Sequence, residues 1–90
     1  MTVYVLTSHY IDVDSGDYNS EIIGVYENID DAQKDLKDNI KWTRSDFQNY
    51  DVEESDFIDG DMSWSIWEKD SEMSHRCELE IKECEVKGAE

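Results

Sequence analysis

Carboxylates at regular spacing are the side chains of this chain with the most chemistry to offer. Asp31, Asp35 and Asp38 follow a 4-then-3 spacing, which on a helix sets neighbours about 5–6 Å apart on one face. Glu78 and Glu80 stand two residues apart, on one side of a strand and roughly 6.6 Å from each other. Glu83 and Glu85 repeat the pattern. The stretch 45–68 contains no Lys or Arg, yet it holds Asp46, Asp51, Glu53, Glu54, Asp56, Asp59, Asp61 and Glu68. Rows of carboxylates at this pitch imitate a line of phosphates. They suit a basic groove that otherwise holds nucleic acid, with counterion release contributing as it does for DNA. A generic, solvated acidic surface would account for the same residues.

Trp42 falls on the Asp31–Asp35–Asp38 stripe, with Asp46 adjoining. An exposed Trp ringed by carboxylates is an anchor for Lys or Arg through cation–π contact. The competing expectation is that the segment 45–61 folds over Trp42 and buries it. Trp67 and Tyr4 are further aromatic candidates, expected on the sheet face that the helix leaves uncovered.

Other constellations carry less. Asp12, Asp14, Gly16 and Asp17 have the composition of a calcium loop. Such a loop needs Gly at its sixth position and Glu at its twelfth, and those positions here are Asp17 and Ile23. The segment reads as a plain turn. His75 and Cys77 are two apart, and His9 is a possible spatial neighbour. A metal site needs three or four ligands, and a Cys–His nucleophile needs an oxyanion site as well. Neither is indicated, so no metal, cofactor or catalytic residue is expected. No Gly-rich phosphate loop is present.

The balance of charge bounds the partner. Twenty-four Asp and Glu stand against eight Lys and Arg, a formal net charge of -16 on 90 residues. Such a field repels itself and destabilises the compact state. It also disfavours direct binding to nucleic acid or to anionic lipid. Three Trp, five Tyr and two Phe are too many for a disordered acidic tail, so one folded domain, 1–90, is expected. No apolar run reaches membrane-spanning length, and no secretory leader is recognisable. Cys77 and Cys84 would lie on the order of 23 Å apart on an extended strand, too far for a disulfide. Unpaired thiols suit a reducing cytoplasm.

The elements that must position these residues follow from periodicity. Residues 3–10 and 21–27 alternate as strands around a turn at 12–17. Asn28 is a helix N-cap, with Asp30 and Asp31 favourable in the first turn. The helix is expected from Ile29 to about Asn49, with Ile29, Ala32, Leu36, Ile40, Thr43 and Phe47 on its apolar face. Lys34, Lys37, Lys41 and Arg44 form a basic stripe beside it. Residues 50–61 read as a loop turning at Gly60. Residues 62–69 alternate, with Met62, Trp64 and Ile66 on one side. A polar turn spans 70–75. The last strand covers 76–86, with a phase slip before Cys84 that suggests a bulge or a fraying end, and the last four residues are expected to be loose. The order β-β-α-β-β predicts an α+β fold, a four-stranded, mostly antiparallel sheet with one helix on one face.

The fragments Val3-Tyr4-Val5-Leu6-Thr7, Glu21-Ile22-Ile23-Gly24-Val25-Tyr26 and Asp31-Ala32 resemble a set of small bacterial and phage proteins of uncharacterised function. The resemblance covers roughly the first 40 residues. It implies a hairpin packed on a helix and carries no functional residues. In size and charge the chain is also similar to phage-encoded inhibitors of the anti-CRISPR and anti-restriction kind. That likeness is one of physical character.

Two functions are therefore expected as alternatives. One is a non-enzymatic inhibitor in the host cytoplasm that occupies a basic nucleic-acid-binding surface of a host enzyme. Its contacts would be Asp31, Asp35, Asp38, Trp42, Asp46, Asp51, Glu53, Glu54, Asp56, Asp59, Asp61, Glu78 and Glu80. The other is a small cytosolic accessory domain that binds protein through its open sheet face, with Tyr4, Trp64 or Trp67.

Overall fold

The computed structural model describes residues 1–12, 16–69 and 75–87. Of the expected turns at 12–17 and 70–75 and the last four residues, positions 13–15, 70–74 and 88–90 lie outside the described residues. The elements are β1 (Thr2–Asp12), β2 (Asp17–Tyr26), α1 (Ile29–Asp46), β3 (Val52–Glu54), β4 (Ser63–Glu68) and β5 (His75–Glu85). The fold is α+β, with one helix and an antiparallel sheet of five strands in the order β2-β1-β5-β4-β3. The last strand enters the middle and pairs with both β1 and β4.

The expected four strands are thus five. The extra strand, β3, lies inside the segment expected as a loop and pairs with Ile66–Glu68 on β4. With three residues, two of them Glu, it carries no alternation that a pattern could register. Its shortness and charge also blunt that edge of the sheet.

Helix α1 starts as expected. Asn28 accepts a hydrogen bond from the Asp30 backbone N–H at 2.7 Å, which satisfies one of the open donors of the first turn. It ends at Asp46 rather than near Asn49. Phe47 turns into the core there, and the Tyr50 ring swings back to stack on His75 at 5.0 Å. His75 in turn lies between Asp12 (3.3 Å) and Glu68 (3.0 Å), tying together the ends of β1, β4 and β5.

The core is a single layer between helix and sheet. Ala32, Leu36, Ile40 and Phe47 meet Leu6, Trp64, Ile66, Cys77, Leu79 and Ile81. Alternation on β4 and β5 is as expected. Tyr4, by contrast, packs against this core, and Trp64 is buried in it at 2% exposure. Both belong to the helix side, so the open face keeps only Trp67 of the three aromatics expected there. No bulge occurs along β5, whose pairing with β1 is continuous from Thr2↔Glu85 to Asp12↔His75. Cys84 simply lies on the other face from Cys77, and both thiols are free. The irregularity is on β2 instead. Leu6 pairs with Gly24 and Thr7 with Ile22, leaving Ile23 as an extra residue turned toward the core.

Burying Trp64 requires a partner for its indole N–H. Glu54 Oε1 accepts it at 3.3 Å and also takes Arg44 at 2.7 Å, while Arg44 lies over the Trp64 ring at 5.6 Å. An exposed ion pair alone contributes about 0–1 kcal/mol. Loss of the acceptor for a buried donor costs about 1–3 kcal/mol, so the indole bond is the larger of the two. We therefore expect Glu54→Ala to lower stability by about 1–2 kcal/mol, and Glu54→Gln, which keeps an acceptor oxygen, to lower it less. Leu36→Ala, which opens a void under the helix, should cost about 2–5 kcal/mol. Urea unfolding checks all three, through a lower midpoint at unchanged slope.

Candidate functional site

The helix separates charge by side. Two members of its basic stripe, Lys37 and Arg44, meet carboxylates at the β3 edge, while Lys34 and Lys41 are exposed and make no ion pair among the described residues. Lys37 pairs with Asp59 at 2.6 Å, and Arg44 pairs with Glu54. Nearby, Lys69 pairs with Asp51 at 3.7 Å, and Asp61 accepts from the Ile58 backbone N–H at 2.8 Å. Three carboxylates of the 51–61 segment, Asp51, Glu54 and Asp59, thus hold it to the body, and Asp61 bonds within it. Among the described residues Glu53 and Asp56 are exposed and make no ion pair.

The acidic stripe lies on the other side, above β2. Asp35 accepts from the Tyr26 hydroxyl at 2.5 Å. Tyr26 reaches it because its ring lies across Gly24, where a Cβ would collide with the phenol. The Asn39 side-chain amide donates to the Asp35 carbonyl at 2.8 Å. Asp31, Asp38 and Asp46 are exposed, and among the described residues they make no ion pair. Trp42 is 61% exposed, so the segment 45–61 does not cover it.

A cleft of about 260 Å³ opens between this stripe and the sheet. Glu21, Trp42 and Asp46 border it, together with Asn39 and Thr43, and Ser8, Tyr10, Cys77 and Leu79 line it from the sheet. An aromatic wall beside two carboxylates fits a cationic side chain. The thiol beneath is poorly suited to attack. Burial pushes Cys77 upward first, and Asp46 and Glu78 add to that, while the Ser8 and Thr43 hydroxyls pull the other way. Only a thiolate is a good nucleophile. Burial, and then Asp12, also raises the Tyr10 phenol.

Glu78 and Glu80 lie apart from the helix stripe, on the opposite face of the sheet. Their partners place them there: Thr7 and His9 on β1, Ser63 and Ser65 on β4. Arg76 pairs with Glu78 and covers the Trp67 ring at 5.4 Å, and Lys82 pairs with Glu80 at 3.5 Å. His9 is on that face too, bonded to Ser20 at 2.8 Å, and so away from Cys77 and His75. The thirteen expected contact residues therefore form three groups. Asp31, Asp35, Asp38, Trp42 and Asp46 stand together. The 51–61 carboxylates sit at the β3 edge, and Glu78 and Glu80 on the open face.

Sequence reasoning missed Glu21 and Asn39 as neighbours of Trp42. It also missed the exposed apolar row Tyr18, Ile22 and Val25 on β2. The signal for that row was the double Ile at 22–23, which a simple alternation cannot seat on one face. The bulge divides the pair, one residue inward and one outward.

The Tyr26–Asp35 bond gives a measurable signature. Burial first, and then the Asp35 hydrogen bond, raises the Tyr26 phenol to about 12. The folded state thus favours the neutral phenol. Its contribution is fully present below the ordinary value near 10 and is lost as pH rises through about 12. Absorbance titration should show one tyrosine ionising last, and Tyr26→Phe should remove that step. Compared with known proteins, the chain matches no family model, no curated protein and no solved structure.

Proposed function

We propose that this is a non-enzymatic acidic binding protein that occupies a basic, nucleic-acid-binding surface of a partner enzyme, in the manner of inhibitors carried by phages and mobile elements. The observation that carries this reading is the segregation of charge on α1. Two of its four cations, Lys37 and Arg44, are engaged at the β3 edge, while Asp31, Asp38 and Asp46 remain without an ion pair among the described residues, beside a Trp that is 61% exposed. Opposed charge gives fast, salt-sensitive association. Trp42 adds an anchor that salt screens less, since part of its contribution is apolar burial. No described helix is long and apolar enough to cross a membrane.

A second reading keeps support from one feature. Tyr18, Ile22 and Val25 expose 67%, 67% and 59% of their surface on the open side of β2, which suits an accessory protein-interaction domain.

The two readings separate on salt and on position. Capture of host-lysate proteins on the immobilised chain should retain an enzyme of nucleic-acid metabolism that moderate salt releases and that added DNA or RNA displaces. Trp42→Ala should weaken that complex by about 2 kcal/mol, roughly 30-fold. Paired Asp38→Lys and Asp46→Lys should weaken it at low salt and leave the free energy of urea unfolding within about 0.5 kcal/mol of wild type. Glu54 is left out of any charge reversal, because it holds Trp64 and Arg44. A partner that withstands high salt, ignores nucleic acid and tolerates Trp42→Ala would move the contact to the open face.

A further inference from the structure

The geometry points to the outer edge of β2 as the place where an extended, basic segment of the partner joins the sheet as a sixth strand. This inference rests on the reading that the partner is basic, and adds how it docks. Strand β2 ends the sheet and pairs with β1 alone. Over Asp17–Tyr26 it presents a row of backbone N–H and C=O groups with no neighbouring strand on its outer side among the described residues. Proteins usually guard such an edge with Lys, Pro or extreme shortness. The chain has no Pro, β2 has no Lys or Arg, and β2 is ten residues long. Its single irregularity is the bulge at Ile23. The opposite edge, β3, has three residues and is held by Arg44 through Glu54. The two edges are therefore unequal, and only one offers a template.

Side chains flanking β2 specify the pattern of the incoming strand. An added strand lies about 4.8 Å away, and its residues alternate between the two faces. On the open face they would meet Tyr18, Ile22 and Val25, all exposed and apolar. On the helix face they would approach Glu21, Trp42 and Asp46 at the cleft mouth. The fitting segment alternates apolar and basic residues. Main-chain bonds would give affinity and the alternate side chains specificity, as in other strand-addition complexes. A second copy of this chain is a poor occupant. Pairing β2 with β2 would bring together two molecules of net charge -16 with their acidic stripes beside the seam.

The test uses the full chain, labelled with nitrogen-15, and two peptides of equal length and composition. One alternates lysine and valine; the other groups its lysines and valines in blocks. The alternating peptide should bind about tenfold more tightly, slow hydrogen exchange of the amides in 17–26, and shift the Trp42 indole N–H. Ile22→Thr with Val25→Thr, both at exposed strand positions, should weaken the alternating peptide and leave the blocked one unchanged. Equal binding of both peptides without protection of 17–26 overturns strand addition, while the basic-partner reading stands. Failure of both peptides to bind at low salt overturns the inference, and the salt-graded capture above then decides separately whether the partner is basic. Protection of 17–26 in the chain alone, together with a dimer in sedimentation at high salt, also overturns it and makes a second copy the occupant.

Discussion

Eight Lys and Arg stand against twenty-four carboxylates, and the placement of the few that form ion pairs governs the rest of the surface. Each exposed pair is worth little by itself. What matters is that three of them act together at the β3 edge. Lys37, Arg44 and Lys69 fasten the 51–61 segment along the helix and the β4 edge. Arg44 does so over the buried Trp64, where ring, guanidinium and Glu54 satisfy one another. The other side of the helix has no such complement among the described residues. Its carboxylates remain solvated, which limits their repulsion through the high dielectric around them and leaves their field directed at whatever approaches.

The same residues that stabilise the helix seat also shape the acidic side. Gly24 lacks a side chain where the Tyr26 ring must cross it. Tyr26 then reaches Asp35, tying β2 to α1. The bulge beside Gly24 turns Ile23 inward and Ile22 outward. One irregularity thus sets the cleft border, the core contact and the exposed apolar row together. None of these depends on the cleft being occupied.

Much of this was legible in the sequence, and the gaps have physical causes. The Asn28 cap, the helix faces, the first hairpin and the inward side of β4 and β5 follow from local rules of period and capping. The position of β5 does not, because pairing partners are set by the whole chain. Strand β3 escaped because it is three residues long and is held by contacts distant in sequence, the pairing with β4 and the bonds of Glu54 to Trp64 and Arg44, which no window of sequence contains. Tyr4 was expected on the open face and packs on the core, since alternation gives two faces but does not say which one is covered. For the site, the stripe Asp31–Asp35–Asp38–Trp42 could be read from spacing alone. Which acidic residues already had a cationic partner could not. That distinction separates Glu54, Asp59 and Asp51 from Asp31, Asp38 and Asp46.

Topology explains why the acidic stripe and the open edge coincide. Because β5 enters between β1 and β4, the first hairpin is pushed outward and β2 becomes an edge. The helix begins three residues after β2 ends, so the short connection holds its start close to that edge. The basic stripe then faces β3, where acidic residues cluster, and the acidic stripe faces β2, which has no cation of its own. Had the last strand paired outside β2, the edge would be closed and the stripe would border a covered sheet. In the observed order, a ligand that pairs with the edge backbone around Glu21 lies beside the cleft that Trp42 and Asp46 border.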